Sequence, residues 1–158
     1  MNSLKIFVGT LFGAGMLPKA PGTWGSLFSL PLIWITAVYF PVYGLIIFVF
    51  VSSILSLYTA PASEKKYGAD PPEFVMDECA GQAVVFLFSS FYAFQLSELY
   101  VLLAGFLLFR FFDILKPFGI DALQKLDGKF GILADDLLAG VYALICLEAL
   151  KFTVTAIL

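Results

Sequence analysis

Two adjacent carboxylates, Asp135 and Asp136, stand in the stretch Gly131-Ile132-Leu133-Ala134-Asp135-Asp136-Leu137-Leu138-Ala139-Gly140, where a polar loop gives way to an apolar segment. From residue 137 to residue 158 only Glu148 and Lys151 are charged. A pair of acids at the mouth of an apolar helix is unfavourable unless something uses it. The chemistry suits a hard cation such as Mg²⁺, which takes carboxylate oxygens and waters. One Asp at a helix start would also serve as a cap, accepting from free N–H groups at the positive end of the helix dipole. Two in succession are harder to explain in that way. A second pair, Asp77-Glu78, is built alike: it precedes an apolar run and has Gly81 close by, as Asp135-Asp136 has Gly140. The echo favours metal or substrate chemistry at both pairs.

Two further groups could handle an anion. Arg110, Asp113 and Lys116 are three residues apart, which places them along one face of a helix. Such a row is either a solvated ladder of ion pairs or, beside acidic pairs, a phosphate clamp. The stretch Leu17-Pro18-Lys19-Ala20-Pro21-Gly22-Thr23-Trp24-Gly25-Ser26 reads as a specified loop. Thr23 and Ser26 supply hydroxyls, Gly22 and Gly25 permit close backbone approach, and Lys19 brings a charge. A loop of this kind leading into a helix can hold a phosphate on backbone N–H groups. It lacks P-loop spacing, and Ser26 could equally be a helix cap.

The residues that are missing narrow the chemistry. The chain has no histidine, which excludes Ser-His-Asp and Cys-His catalysis, phosphohistidine chemistry and His-ligated zinc. Acid, base and metal work therefore falls to Asp and Glu, with Lys, Arg and Tyr in support. Cys79 and Cys146 are far apart in apolar sequence and read as buried free thiols. The net charge of −3 offers no basic patch for nucleic acid. No removable signal peptide is expected at the N-terminus.

The elements that must position these groups are membrane elements. Of the 158 residues 61% are hydrophobic and 13% charged, far from the soluble average of roughly 25% charged. The expected fold is all-α: a single domain over residues 1–158, built as a compact integral membrane bundle of about four to five membrane helices plus an N-terminal interfacial helix. Residues 3–16 carry Leu4, Phe7, Val8, Leu11 and Phe12 at helical spacing with one charge, Lys5, as an interfacial helix would. Residues 20–63 contain no charge, which is too long for one span and about right for two. Pro41 is the natural turn, giving a hairpin of residues 27–40 and 42–60. Residues 61–72 read as a surface loop. Residues 83–95 follow the first acidic pair as an apolar run. Residues 99–112 return as a helix stopped by Pro117, and residues 121–130, with Lys125, Asp127 and Lys129, form a polar loop or amphipathic turn. In this layout the loops at 1–26, 61–78 and 110–136 share one side of the membrane. Eight of the nine Lys and Arg residues, all but Lys151, lie there, and so do ten of the twelve acids, all but Glu98 and Glu148. The positive-inside rule makes that side cytoplasmic.

Taken together these motifs resemble the phosphatidylglycerophosphatase A family. The matching pieces are Pro18 to Ser26, Asp77-Glu78 with Gly81, Phe109-Arg110-Phe111-Phe112-Asp113 with Lys116-Pro117, and Gly131-Ile132 with Asp135-Asp136 and Ala139-Gly140. They occur in the family's order and span most of the chain. Two departures are visible: Asp127-Gly128-Lys129-Phe130-Gly131 stands where members often carry a His-Gly step, and Phe118-Gly119-Ile120 follows Lys116-Pro117 where members usually have a second proline.

The resemblance implies a small all-helical, Mg²⁺-dependent enzyme of the bacterial inner membrane. Its reaction would be removal of the terminal phosphate of phosphatidylglycerophosphate, giving phosphatidylglycerol, with the site facing the cytoplasm. Asp77, Glu78, Asp135 and Asp136 would hold one or two Mg²⁺ ions, with Asp113 either a further ligand or a brace for Arg110. Arg110, Lys116 and Lys19 would stabilise charge on the phosphoryl group, and Gly22, Thr23 and Ser26 would orient it. Attack by water and attack by an Asp carboxylate both fit. A non-enzymatic cation-binding or transport protein is the competing reading, because intramembrane acids often mark ion pathways. Arg110 and Lys116 speak against it, since they repel cations and attract phosphate. Oligomeric state is left open.

Overall fold

Proline and glycine mark several of the helix boundaries. In the computed structural model, which describes residues 2–41, 43–91, 96–124, 126 and 128–157 (without the side chains of residues 96 and 157), seven α-helices and no strands are found among the described residues. They are α1 (Asn2–Gly9), α2 (Pro21–Tyr39), α3 (Gly44–Tyr67), α4 (Met76–Val84), α5 (Leu96–Leu115), α6 (Ile120–Leu123) and α7 (Lys129–Ile157). The all-α expectation is met. Helix α2 begins on Pro21, whose missing N–H is no loss in a first turn and whose φ is already helical. The chain turns at Phe40 and Pro41, leaving Tyr39, Phe40 and Tyr43 exposed. After α5, Lys116 takes a left-handed conformation at φ 46°, and Pro117 follows.

Short α4 lies at the centre. It packs against α7, α3 and α2, and eight of its nine residues, all but Glu78, are buried. Its crossing with α7 is a backbone-to-backbone contact: a methyl group at Gly81 would strike the Asp136 carbonyl, and one at Gly140 would strike the Gly81 carbonyl. Small residues allow this approach, and it brings the two acidic pairs together. A core of Ile33, Phe86, Phe109, Ala143 and Leu147 fills the space between α2, α4, α5 and α7.

Several boundaries differ from the sequence expectations. Residues 61–67 are the last turns of α3, not loop; Pro61 lies inside the helix and denies one bond to the carbonyl a turn earlier without ending it. The apolar run after Asp77-Glu78 is no span, because helix α4 stops at Val84 and the chain turns over residues 85–88; residues 92–95 of that run lie outside the described residues. The N-terminal helix stops at Gly9, followed by left-handed Leu11 and Phe12. Residues 17–26 are a loop only as far as Ala20. The expected turn at 121–130 holds α6 and the start of α7, while Lys125 and Asp127 lie outside the described residues, as does Val42 of the first hairpin. Among the described residues two helical stretches, Gly44–Tyr67 and Lys129–Ala156, are long and apolar enough to cross a membrane.

Candidate active site

The acidic pairs are not caps. Asp135 and Asp136 lie nearly two turns inside α7, which starts at Lys129, and the residue preceding α4, Val75, makes no side-chain cap. Asp77, Asp135 and Asp136 are 5%, 3% and 4% exposed, the burial that carboxylates avoid unless engaged. Oxygens of Asp77, Glu78 and Asp136 lie within 4.8 Å of one another. Within this group Asp77 Oδ1 and Glu78 Oε2 are buried without a hydrogen-bond partner. Such orphans are rare and call for an explanation, of which a bound ion is one. Burial first, then repulsion from neighbouring carboxylates, raises the Asp77 and Glu78 carboxyls well above the ordinary carboxylate range.

A small cavity of about 90 Å³ opens beside these groups, lined by Asp77, Glu78, Asp136, Asp113, Lys116 and Asp135. Two cations flank it. Arg110 reaches three elements: its guanidinium pairs with Asp113 at 2.5 Å, lies 3.9 Å from Glu78, and donates to Ser26 Oγ on α2 at 3.3 Å. The solvated-ladder reading therefore fails at Arg110 and Asp113, whose side chains are 14% and 12% exposed. Lys116 pairs across the cavity with Asp135. Burial lowers the Lys116 ammonium pKa, but hydrogen bonding and attraction to Asp135 outweigh it and leave the pKa raised, so this group stays charged.

The first turn of α2 closes the arrangement from one side. A methyl group on Gly22 would run into Glu78 Oε1 and lie 3.2 Å from the Arg110 guanidinium, so only glycine leaves the acid its place. Ser26 is no cap: it is fully buried in α2 and donates to the Gly22 carbonyl at 2.9 Å. The structure thus gathers Asp77, Glu78, Asp113, Asp135, Asp136, Arg110, Lys116, Gly22 and Ser26. It does not bring in Lys19, which is exposed on a left-handed backbone, or Thr23, which is half-buried; among the described residues no hydrogen bond joins either to the carboxylates. The sequence reading missed Asp70, which lines the cavity and accepts from Gln124 at 2.9 Å. Its signal was the Asp-Pro-Pro break just before Asp77. Cys79 is no nucleophile: burial, then the charges of Glu78 and Asp77, push its thiol up to about 12.

Comparison with known proteins gives the family. The family model described as phosphatidylglycerophosphatase A matches residues 7–151. The chain belongs to the phosphatidylglycerophosphatase A family. A family member from Haemophilus influenzae, named phosphatidylglycerophosphatase A, is 38% identical over 143 residues, 89% of this chain and 85% of its own length. One of the same name from Escherichia coli K12 is 31% identical over 134 residues, 82% and 73% of the two lengths. A relative from Bacteroides thetaiotaomicron, 34% identical over 161 residues and 96% of both chains, bears the provisional name phosphatidylinositol-3-phosphatase. No solved structure matches the chain. Membership makes this phosphatidylglycerophosphatase A family chain an enzyme of the phosphatase class, and leaves the transport reading without support.

Proposed function

We propose that this chain hydrolyses the terminal phosphate monoester of phosphatidylglycerophosphate, releasing phosphatidylglycerol and phosphate, with a divalent cation such as Mg²⁺ held by Asp77, Glu78 and Asp136. The observation that carries the reading is the convergence of three carboxylates, Asp77 and Asp136 buried and Glu78 half-buried, two of them with orphaned oxygens, between Arg110 and Lys116. An all-oxygen donor set fits a hard cation. Bound there, the cation would draw charge from the phosphate oxygens and acidify water. The chain's own groups do the rest. Arg110 presents a fork to the phosphoryl oxygens, and its hold on Asp113 and Ser26 fixes that fork before substrate arrives. Lys116 supplies a second positive charge, oriented by Asp135. Covalent phosphate trapped on the protein would assign the attack to a carboxylate; its absence in rapid quench would assign it to water.

The site sits at the membrane surface in this reading. Helices α3 and α7 cross, and α2 and α5, at 19 and 20 residues, are embedded beside them with apolar side chains such as Phe28, Ile35, Leu103 and Leu107 exposed to lipid. At 1.5 Å per residue each is close to the roughly 30 Å hydrocarbon thickness. The positive-inside balance then puts the cavity on the cytoplasmic face of a bacterial inner membrane.

The relative named for an inositol lipid favours a second reading, in which the phosphate sits on another phospholipid head. Phosphate release from phosphatidylglycerophosphate and from phosphatidylinositol 3-phosphate, in the same micelles with Mg²⁺ or a chelator, separates them. The proposal expects chelator-sensitive release favouring the glycerol lipid. Preference for the inositol lipid would move the substrate, and no release from either with any divalent ion would overturn the function.

A further inference from the structure

The candidate site explains where a phosphate would sit but not where the rest of a lipid goes. Helices α2 and α5 are joined by polar contacts at two levels. At the level of the site Arg110 donates to Ser26; lower down, Trp34 Nε1 donates to Glu98 at 3.0 Å. Between these bridges the seam opens into a groove whose exposed lining is wholly apolar, about 490 Å³ in volume. Its walls include Leu27, Leu30 and Pro31 of α2 and Leu99, Leu102 and Leu103 of α5. It begins within a turn of Ser26 and runs along α2 for about 12 Å at 1.5 Å per residue, close to the depth of one leaflet's hydrocarbon, roughly 15 Å.

We propose that this groove holds an acyl chain of the lipid substrate, so that a lipid whose phosphate monoester meets Arg110 lays one tail along the α2–α5 seam. The inference rests on the function proposed above and adds how the enzyme selects a lipid over a soluble phosphate ester. Three features fix the occupant. On α2 the groove starts at Leu27, the residue after the Ser26 to which Arg110 donates. It has no polar group for a peptide or a sugar. Its length matches a tail entering from one leaflet. Bulk lipid and a second copy of the chain are the rival occupants.

The test compares full-length protein carrying Leu103→Trp or Leu27→Trp, both on the open rim at 41% and 36% exposure, with Leu107→Trp, at 64% exposure and outside the groove. The readout is the ratio of kcat/KM for long-chain phosphatidylglycerophosphate to that for its deacylated, water-soluble headgroup. Filling the groove should lower that ratio about tenfold, the worth of about two methylenes withheld from burial, and Leu107→Trp should leave it at the wild-type value. Equal ratios in all four proteins would overturn the groove while leaving the phosphatase reading intact. If wild type released no phosphate from either compound, the phosphatase reading would fall, and the groove would be judged by binding. In Trp24→Phe protein, whose remaining native tryptophan Trp34 lines the groove, stronger quenching by brominated-acyl phosphatidic acid than by equally brominated phosphatidylcholine supports it. Equal quenching, the result for bulk lipid, or crosslinking of two copies through Leu103→Cys, overturns it.

Discussion

The two ends of the α2–α5–α7 bundle both bury charge, and they treat it in opposite ways. At the far end Glu98 accepts from Trp34, and Lys151 donates to Glu148 at 2.6 Å and to Ser89 at 3.3 Å. Each charge there meets partners that match it. At the near end Asp77, Glu78, Asp113, Asp135 and Asp136 outnumber Arg110 and Lys116, and oxygens of Asp77 and Glu78 are left unpaired. Hydrogen-bonded ends stabilise a fold; an end that gathers like charges without partners loses stability and does so where chemistry is done. The contrast marks the near end as the candidate functional cluster without reference to any relative.

Breaking the near end should show that asymmetry first. Asp136→Asn is expected to lower phosphate release by about 10³-fold, in line with loss of a principal charge-stabilising group, while the melting temperature in detergent holds or rises because repulsion is relieved. A fall in both together would make Asp136 structural. Arg110→Lys keeps the charge but loses the planar guanidinium, whose Nη1 meets Ser26, Glu78 and Asp113 and whose remaining N–H groups would face the phosphate, so a loss of roughly 10²-fold in kcat is expected by steady-state kinetics. Gly22→Ala places a methyl against Glu78 and should cost about tenfold in activity through displacement of the acid, with α-helical circular dichroism unchanged. The far end should give the smallest effect. Glu98→Gln weakens the acceptor for Trp34 and should lower stability by about 1 kcal/mol, leaving activity within about twofold. Activity lost at Glu98 with stability intact would erase the distinction between the ends.

Much of the site was legible because its chemistry is concentrated in few residues. A chain with so few charges shows its acidic pairs plainly, and the three-residue spacing of Arg110, Asp113 and Lys116 reports a shared helical face. That spacing did not reveal the partners: Lys116 leaves its own helix to meet Asp135, and Arg110 crosses to Ser26. Those pairings depend on the α4–α7 crossing, which rests on Gly81 and Gly140 and is a tertiary fact. Proline was the main source of error. Pro61, expected in a loop, lies inside a helix as Pro31 does in the expected helical arm, where an apolar setting offers the backbone no water as an alternative partner. The run after Asp77-Glu78 is apolar enough for a span, yet it is buried core about α4 and its following turn, since periodicity alone does not tell a span from a buried segment.

The most direct measurement is equilibrium binding of a divalent cation to the purified full-length protein, read by Mn²⁺ electron paramagnetic resonance with Mg²⁺ as competitor, in wild type and Asp136→Asn. The account expects saturable Mn²⁺ binding in the wild type, displaced by Mg²⁺ and weakened at least tenfold in the variant. Wild-type protein that binds no ion, or a variant that binds it equally well, would contradict the claim that Asp77, Glu78 and Asp136 are gathered to hold one.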